Sequence, residues 1–159
     1  MEALHPSNLC LIALVFFYTL NLAPMIFESF TSDRIWASNP PDSFSMFLGQ
    51  YGNKTTHYWR VVSPLAASTF ILSIILNWHN RGRLLLLGVA FASYIAVQIA
   101  TMVYFVPEQE ALVAKARELS APVLKGRANR WIFRNYFRII SGTLSFVLLL
   151  LAVLVPRVP

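Results

Sequence analysis

The sequence predicts an all-α integral membrane protein, a transmembrane bundle of four helices. Of its 159 residues, 57% are hydrophobic and 13% are charged, and the mean hydropathy is +0.57. A soluble domain is typically about half apolar and about a quarter charged. The apolar residues also collect in four blocks, each long enough for a helix to cross the hydrocarbon layer. A segment in lipid must satisfy its own backbone hydrogen bonds, which favours helices over irregular structure.

The four predicted spans form one domain that covers residues 1–159. They lie at about residues 8–27, 61–78, 84–106 and 135–155. No basic stretch precedes the first block and no small-residue cleavage site follows it. We therefore interpret this block as a retained span rather than a signal peptide, and the protein as a multi-pass membrane protein.

The lengths of the connections predict which helix ends meet. Only about five residues separate spans two and three, so these spans should form an antiparallel hairpin. The other two connections, of about 33 and 32 residues, emerge on the opposite face and carry most of the polar side chains. The net charge of +6 lies mainly there. It predicts contact with anionic lipid headgroups, not nucleic acid, and the positive-inside rule would place these connections in the cytoplasm.

The first connection is a long aromatic loop that we expect to lie on the bundle as a lid. A pair of prolines interrupts it, and a short helix is predicted to follow. Asp42 or Ser43 is expected to cap this helix, with Phe44, Phe47 and Leu48 on one face.

The third connection is predicted to contain a short amphipathic helix. Pro107 opens it, and acidic residues follow in its first turn. Lys115 and Arg117 come near its end, where cations complement the helix dipole. The last span is then expected to begin its helix before its apolar run, within residues 128–138.

This topology brings one end of each of the four helices to the same membrane level. Polar side chains near membrane depth are costly and usually face the bundle interior. The four ends therefore mark the candidate functional region. In chain order they carry Glu28, then His57, Trp59 and Arg60, then Tyr104, Glu108 and Gln109, then Trp131, Asn135 and Arg138.

One stripe of the fourth helix is predicted to face inward. Trp131, Asn135, Arg138 and Gly142 recur at helical spacing and fall within a narrow sector. Gly142 continues a small-residue surface that would let another helix approach closely.

The arginines around this stripe receive two different interpretations. Arg130 and Arg134 lie to its flank and are interpreted as headgroup anchors. Arg138 lies deeper, and we expect it to face the interior and to pair with Glu28 or Glu108.

His57 is the candidate general base among the histidines, because it is the only one on the polar face. The plain alternative is an interfacial histidine, just as Glu28 could be a solvated interfacial acid. His57, Glu28 and Glu108 could also form a metal triad, but no metal-ligand spacing supports one, so neither a metal nor another cofactor is predicted.

Four stretches of the sequence carry a resemblance to a known family: "NLAPMIFESF", "HYWRVVSPLAA", "MVYFVPEQEAL" and "RWIFRNYFRIISGTLSFVLLLLA". They resemble the anthrone oxygenase-like four-helix membrane proteins, a family long catalogued as a domain of unknown function. The resemblance implies oxygenation of a polyketide anthrone to an anthraquinone without a metal or flavin. His57 or Glu28 would then remove a proton, while Arg138, Asn135 and Trp131 would donate hydrogen bonds to the developing oxyanion. Trp59, Arg60 and Tyr104 would help to bind a flat polycyclic or quinol-like substrate.

An alternative function is non-catalytic. The chain could be an accessory subunit, or a lipid-binding or quinone-binding component, of a larger membrane complex. The sequence leaves open the substrate and whether the chain forms homo-oligomers or joins such a complex.

Overall fold

The computed structural model describes residues 5–50, 52 and 55–156, and this part of the chain is helical without strands. Four helices are long and apolar enough to cross a membrane. The predicted all-α, four-span class is therefore confirmed. The elements are α1 (Pro6–Phe30), α2 (Ser32–Trp36), a 3₁₀ helix (Asp42–Phe47), α3 (Thr56–Leu76), α4 (Arg81–Ala100), a π-helical turn (Thr101–Phe105), α5 (Val106–Ala114) and α6 (Ala121–Leu154).

The third span is longer than predicted, because α4 continues through the π-helical turn into α5. Pro107 has no N–H to donate to the carbonyl of Val103, four residues earlier. Just before it, the N–H of Val106 bonds to the carbonyl of Thr101, which is the wider spacing of a π turn. The short helix expected after Pro107 thus exists, but it prolongs α4 instead of standing apart in the connection.

The last helix also begins earlier than predicted, at Ala121. Its 34 residues span about 51 Å at the usual helical rise. The hydrocarbon layer is only about 30 Å thick. The helix α6 is therefore longer than a membrane span requires, and its N-terminal part packs with α5.

Two separate apolar clusters organise the chain. The bundle core lies between the spans, and the aromatic cap covers the end from which the long connections emerge. Trp36 and Phe44 are buried in the cap, so the first loop lies on the bundle as expected. The bundle core includes Leu11, Leu14, Tyr18, Phe70, Leu87, Tyr94 and Leu149, and the cap includes Trp36, Phe44, Phe105, Leu112, Leu124, Ala128 and Trp131.

The capping predicted for the helix in the first loop is wrong. The helix is 3₁₀, and no side chain caps it. The hydroxyl of Ser43 instead donates to the carbonyl of Trp36, at 2.5 Å. Phe44 is buried as expected, whereas Leu48 is exposed because the helix has already ended there.

Close approach of α1 to α6 occurs at Gly142, as its small size predicts. A Cβ there would lie 3.0 Å from Leu22 Cδ1 and 3.1 Å from Met25 Cε. The Tyr18 hydroxyl donates to the Gly142 carbonyl at 3.0 Å. The absent side chain therefore allows a direct contact between α1 and the α6 backbone.

A proline inside α1 is compensated by α3. Pro24 cannot donate to the carbonyl of Leu20, and the hydroxyl of Tyr58 donates to that carbonyl at 2.5 Å. Beside it, Asn21 donates to the carbonyl of Val62 at 3.1 Å. The helix interruption thus becomes a point of attachment between two spans.

Replacing Tyr58 with Phe should destabilise the protein by about 1 kcal/mol, because the Leu20 carbonyl loses its donor. The same replacement in a Pro24→Ala background should cost less, since the new N–H can bond to Leu20. Thermal unfolding of the four proteins in detergent measures this coupling. An equal loss of stability in both backgrounds would contradict the role of Tyr58 as the donor to the Leu20 carbonyl.

At the other end of the bundle, Arg83 joins three helices to α4. Its side chain is only 3% exposed. Nε donates to the carbonyl of Val155 at 3.0 Å, and Nη1 donates to the side chains of Asn8 at 2.7 Å and Asn77 at 3.1 Å. The cation also lies at the C-terminus of α6, where the helix dipole favours positive charge. This cluster holds α1, α3, α4 and α6 together at the short-connection end.

Arg83→Met should lower stability by about 2–4 kcal/mol, since several buried acceptors lose their donor. Arg81→Met is the matched control, because Arg81 lies in the same turn and is exposed. Thermal unfolding in detergent should show a drop of several degrees for the first variant and almost none for the control. Similar midpoints for both would refute the role assigned to Arg83.

Candidate functional site

A layer of polar side chains separates the bundle core from the aromatic cap. It consists of Glu28, Ser29 and Asp33 from α1 and α2, with Asn135 and Arg138 from α6, and we call it the polar layer. Along α6, Asn135 lies about 30 Å from the helix end at the other side, which is one hydrocarbon thickness. In a helix that crosses the bilayer, this distance would bring the polar layer to the level where hydrocarbon meets headgroups.

Asp33 is the centre of this layer. It is 7% exposed, yet both of its carboxylate oxygens accept hydrogen bonds. Trp36 Nε1 donates to Oδ1 at 3.2 Å, and Asn135 Nδ2 donates to Oδ2 at 3.0 Å. A buried carboxylate is tolerated only when such donors replace its water.

The orientation of the Asn135 amide follows from its neighbours. Nδ2 also donates to Ser29 Oγ at 2.8 Å, and that hydroxyl gives its own proton to the carbonyl of Met25 at 2.9 Å. Asp33 and Ser29 both need a donor, so the nitrogen must face them. Asn135 Oδ1 points elsewhere, is buried and finds no partner among the described residues.

Arg138 faces the interior, as predicted, but the predicted pairing of Arg138 with Glu108 is wrong. Glu108 pairs instead with Arg127, at 2.8 Å and 2.6 Å. Arg127 lies on the early turns of α6, which the sequence analysis had treated as part of the connection. This part of the helix brings Arg127 alongside α5.

The guanidinium of Arg138 lies over the ring of Phe105, 4.8 Å from its centroid. It interacts electrostatically with Asp33 and Glu28, but among the described residues neither carboxylate lies within the 4.0 Å of an ion pair. Its Nε is buried and without a partner in the same part of the chain. The expected contact with Glu28 is therefore long-range rather than direct.

Trp131 is buried, and its indole N–H already donates a hydrogen bond within the protein. Nε1 donates to the carbonyl of Phe105 at 2.9 Å, so α6 holds the π-helical turn. The ring packs edge-on against Trp36, with centroids 5.2 Å apart, and against Phe105, at 5.3 Å. In this arrangement neither Trp131 nor Asn135 offers the free N–H that the sequence analysis expected for an oxyanion.

The ring of Tyr104 lies next to Phe105 on the π-helical turn and is half-buried. The exposed Arg134 places its guanidinium 4.8 Å from the centroid of this ring. Arg130 is exposed as well. The exposed Arg134 thus lies over the ring of Tyr104, and the half-buried Arg138 lies over the ring of Phe105.

Three predicted residues lie in the first turns of α3. His57 and Arg60 are exposed, and Trp59 is half-buried against the bundle core. Tyr58, between them, donates to the carbonyl of Leu20 and so attaches the start of α3 to α1. No group of three His, Cys, Asp or Glu side chains able to hold a metal occurs among the described residues. Whether His57, Trp59 and Arg60 serve the site stays a prediction.

Asp33 is the member of the layer that the sequence analysis missed. The segment after Glu28 was taken as a loop, whereas α2 follows α1 almost without interruption. The available signal was spacing, because Met25, Ser29, Asp33 and Trp36 continue the buried face of α1 at intervals of three or four residues.

A shallow apolar concavity lies away from the polar layer, on the outer face of the first half of α4. This is the end of the bundle that holds Arg83. It opens to the outer surface of the bundle, and its lining contains no carboxylate. Its lining consists of Arg81, Leu84, Leu85, Gly88, Val89 and Ala92.

Comparison with known families now identifies the chain. The model of the anthrone oxygenase family matches residues 54–148, more than half of the sequence. The protein belongs to the anthrone oxygenase family. No curated protein and no solved structure matches it. The family region contains Trp131, Asn135 and Arg138, whereas Glu28 and Asp33 lie outside it, on the part of the chain that completes the polar layer.

Asn135→Leu should destabilise this family member by about 2–4 kcal/mol, because Asp33 would keep its buried charge without the amide donor. Asn129→Leu is the control on an exposed face of the same helix. Unfolding measurements on Asp33→Leu and on the double variant complete a cycle. The double variant should be more stable than the sum of the two single losses implies, and strict additivity would contradict the pairing.

Proposed function

We propose that this protein is a membrane-embedded oxygenase that acts on a flat, anthrone-like or quinol-like polycycle in the polar layer without a metal or flavin. The observation that carries the proposal is that the polar layer contains both a carboxylate able to accept a proton and a cation able to stabilise negative charge. Glu28 supplies a half-buried carboxylate without a hydrogen-bond or ion-pair partner among the described residues, and Arg138 supplies a half-buried cation whose buried Nε has no partner there. Membership of the anthrone oxygenase family supports the reaction class.

The reaction begins with removal of a proton from the activated ring CH₂ of the substrate. The resulting enolate carbon is electron-rich and transfers electrons to dioxygen, and a carbon–oxygen bond forms. Protonation gives a hydroperoxide, which loses water as the O–O bond breaks and the second C–H proton leaves. One oxygen atom ends in the new carbonyl group and the other in water, so the overall change is CH₂ + O₂ → C=O + H₂O.

Glu28 is the base that the geometry favours. It is half-buried in the last turn of α1, and no hydrogen bond or ion pair with another described residue occupies its carboxylate. Asp33 is less suited, since both of its oxygens already accept hydrogen bonds. His57, exposed at the start of α3, is the second candidate.

Arg138 would stabilise the oxyanion that forms when the proton leaves. A fixed cation in a site shielded from water stabilises developing charge more strongly than one in solvent. Its position over Phe105 holds the guanidinium in place. Asp33, Trp131 and the amide nitrogen of Asn135 then act in positioning, because they bond to the protein and hold α1, α6 and the π-helical turn together.

The location of the layer suits an apolar substrate. Such a molecule partitions into the membrane and reaches the hydrocarbon boundary without crossing water. The half-buried rings of Trp59 and Tyr104 offer flat surfaces near the helix ends. We propose these two rings as substrate contacts, with Arg60 at the headgroup side.

Glu28→Gln should lower kcat for anthrone oxidation at least 100-fold, because the amide cannot accept the proton. Glu118→Gln is the matched control on an exposed acid. The readouts are quinone absorbance and oxygen uptake in lipid nanodiscs, corrected for spontaneous oxidation. Arg138→Met should lower kcat by a similar factor. A large loss in His57→Ala with none in Glu28→Gln would transfer the role of base to His57.

Full activity in all three variants would refute the assigned site. With ¹⁸O₂, the proposal requires one labelled atom in each quinone. The non-catalytic alternative predicts a different outcome: no oxidation above background and a stoichiometric membrane partner retained through purification in mild detergent.

A further inference from the structure

Two buried polar atoms of the polar layer have no partner among the described residues, and they lie one turn apart on α6. One is Asn135 Oδ1, an acceptor, and the other is Arg138 Nε, a donor. Residues three apart on a helix share a face, with Cβ atoms about 5–6 Å apart. Unsatisfied buried groups are rare and costly in native proteins, so this pair needs an explanation.

The rest of the cluster does not supply one. Both N–H groups of Asn135 are engaged by Ser29 and Asp33, which fixes the direction of Oδ1. The guanidinium of Arg138 lies over the ring of Phe105, which covers one side of it. Asn135 Oδ1 cannot turn toward a new partner without breaking these two hydrogen bonds.

One chemical group satisfies both atoms at once. A carbonyl or an ether oxygen accepts from Arg138 but gives nothing to Asn135. A hydroxyl group accepts one hydrogen bond and donates another. Because the proposed substrate is a polycyclic aromatic molecule, the group that fits is a hydroxyl attached to an aromatic ring.

We propose that Asn135 and Arg138 recognise a free, protonated aromatic hydroxyl of the ligand, which donates to Asn135 Oδ1 and accepts from Arg138 Nε. The aromatic character of the ligand rests on the proposed function, and the requirement for a hydroxyl rests on the two unpartnered atoms. The substrate class is thereby narrowed to polycycles with a hydroxyl that is not already bonded to its own carbonyl group. Such a contact sets specificity, because a ligand without the hydroxyl leaves both atoms unsatisfied.

Binding of three matched quinones to the full-length protein in nanodiscs tests this inference. They are 2-hydroxyanthraquinone, 2-methoxyanthraquinone and 2-methylanthraquinone, measured by calorimetry at a mildly acidic pH that keeps the hydroxyl protonated. The hydroxyl compound should bind about tenfold more tightly than the methyl compound. The methoxy compound should lose most of this advantage, because it cannot donate to Asn135.

Arg138→Lys keeps the charge and removes Nε, so the preference for the hydroxyl compound should fall to near unity. Arg134→Lys is the matched control: Arg134 lies over Tyr104 at the same 4.8 Å but is exposed, and its replacement should leave the preference unchanged. If Arg138→Lys does not fold, the order of the affinities of the three quinones for the wild-type protein still tests the proposal. Equal affinities would overturn the proposal and leave water as the partner of both atoms.

This experiment is independent of turnover. A protein that oxidises anthrones but binds the three quinones equally would retain the proposed function and lose this inference. A protein without oxidase activity that prefers the hydroxyl compound through Arg138 would retain the hydroxyl site and lose the catalytic role.

Discussion

The hydrogen bonds from the Asn135 amide to Asp33 and Ser29 are the interaction on which the rest of the structure depends. They attach the end of α1 and the start of the first loop to the middle of α6. Because Trp36 follows Asp33 by three residues, the same attachment places its ring against Trp131. A buried carboxylate without this donor would be strongly destabilising. The amide thus fixes the polar layer and the aromatic cap together.

The two ends of the bundle use their arginines differently. Arg83 donates to acceptors next to three other helices and lies at the C-terminus of α6, so its role in the fold is accounted for. The guanidinium of Arg138 lies over an aromatic ring, and its buried Nε has no partner among the described residues. The carboxylates of Asp33 and Glu28 influence it only at longer range. The first arrangement stabilises the bundle, and the second is suited to bind a ligand.

The sequence predicted the fold class because membrane spans are read from hydropathy and connection length. It also predicted that Trp131, Asn135 and Arg138 turn inward, since helical spacing alone decides this. It missed Asp33, because a polar segment after a span resembles a loop unless its buried spacing is recognised. It also paired Glu108 with the wrong arginine, since the early turns of α6 lie in polar sequence without a hydropathy signal. Which donors are already engaged, as for Trp131 Nε1, depends on tertiary contacts that no local pattern encodes.

The central claim is that ligand binds in the polar layer and not in the apolar concavity on α4. Photo-crosslinking with a diazirine-bearing hydroxyanthraquinone in nanodiscs, followed by peptide mass spectrometry, tests it most directly. We predict labelled residues within 25–36, 57–60, 101–105 and 131–142, with labelling displaced by unmodified ligand. Displaceable labelling confined to residues 81–92, around Leu84 and Val89, would place the ligand at the opposite end of the bundle and contradict the account.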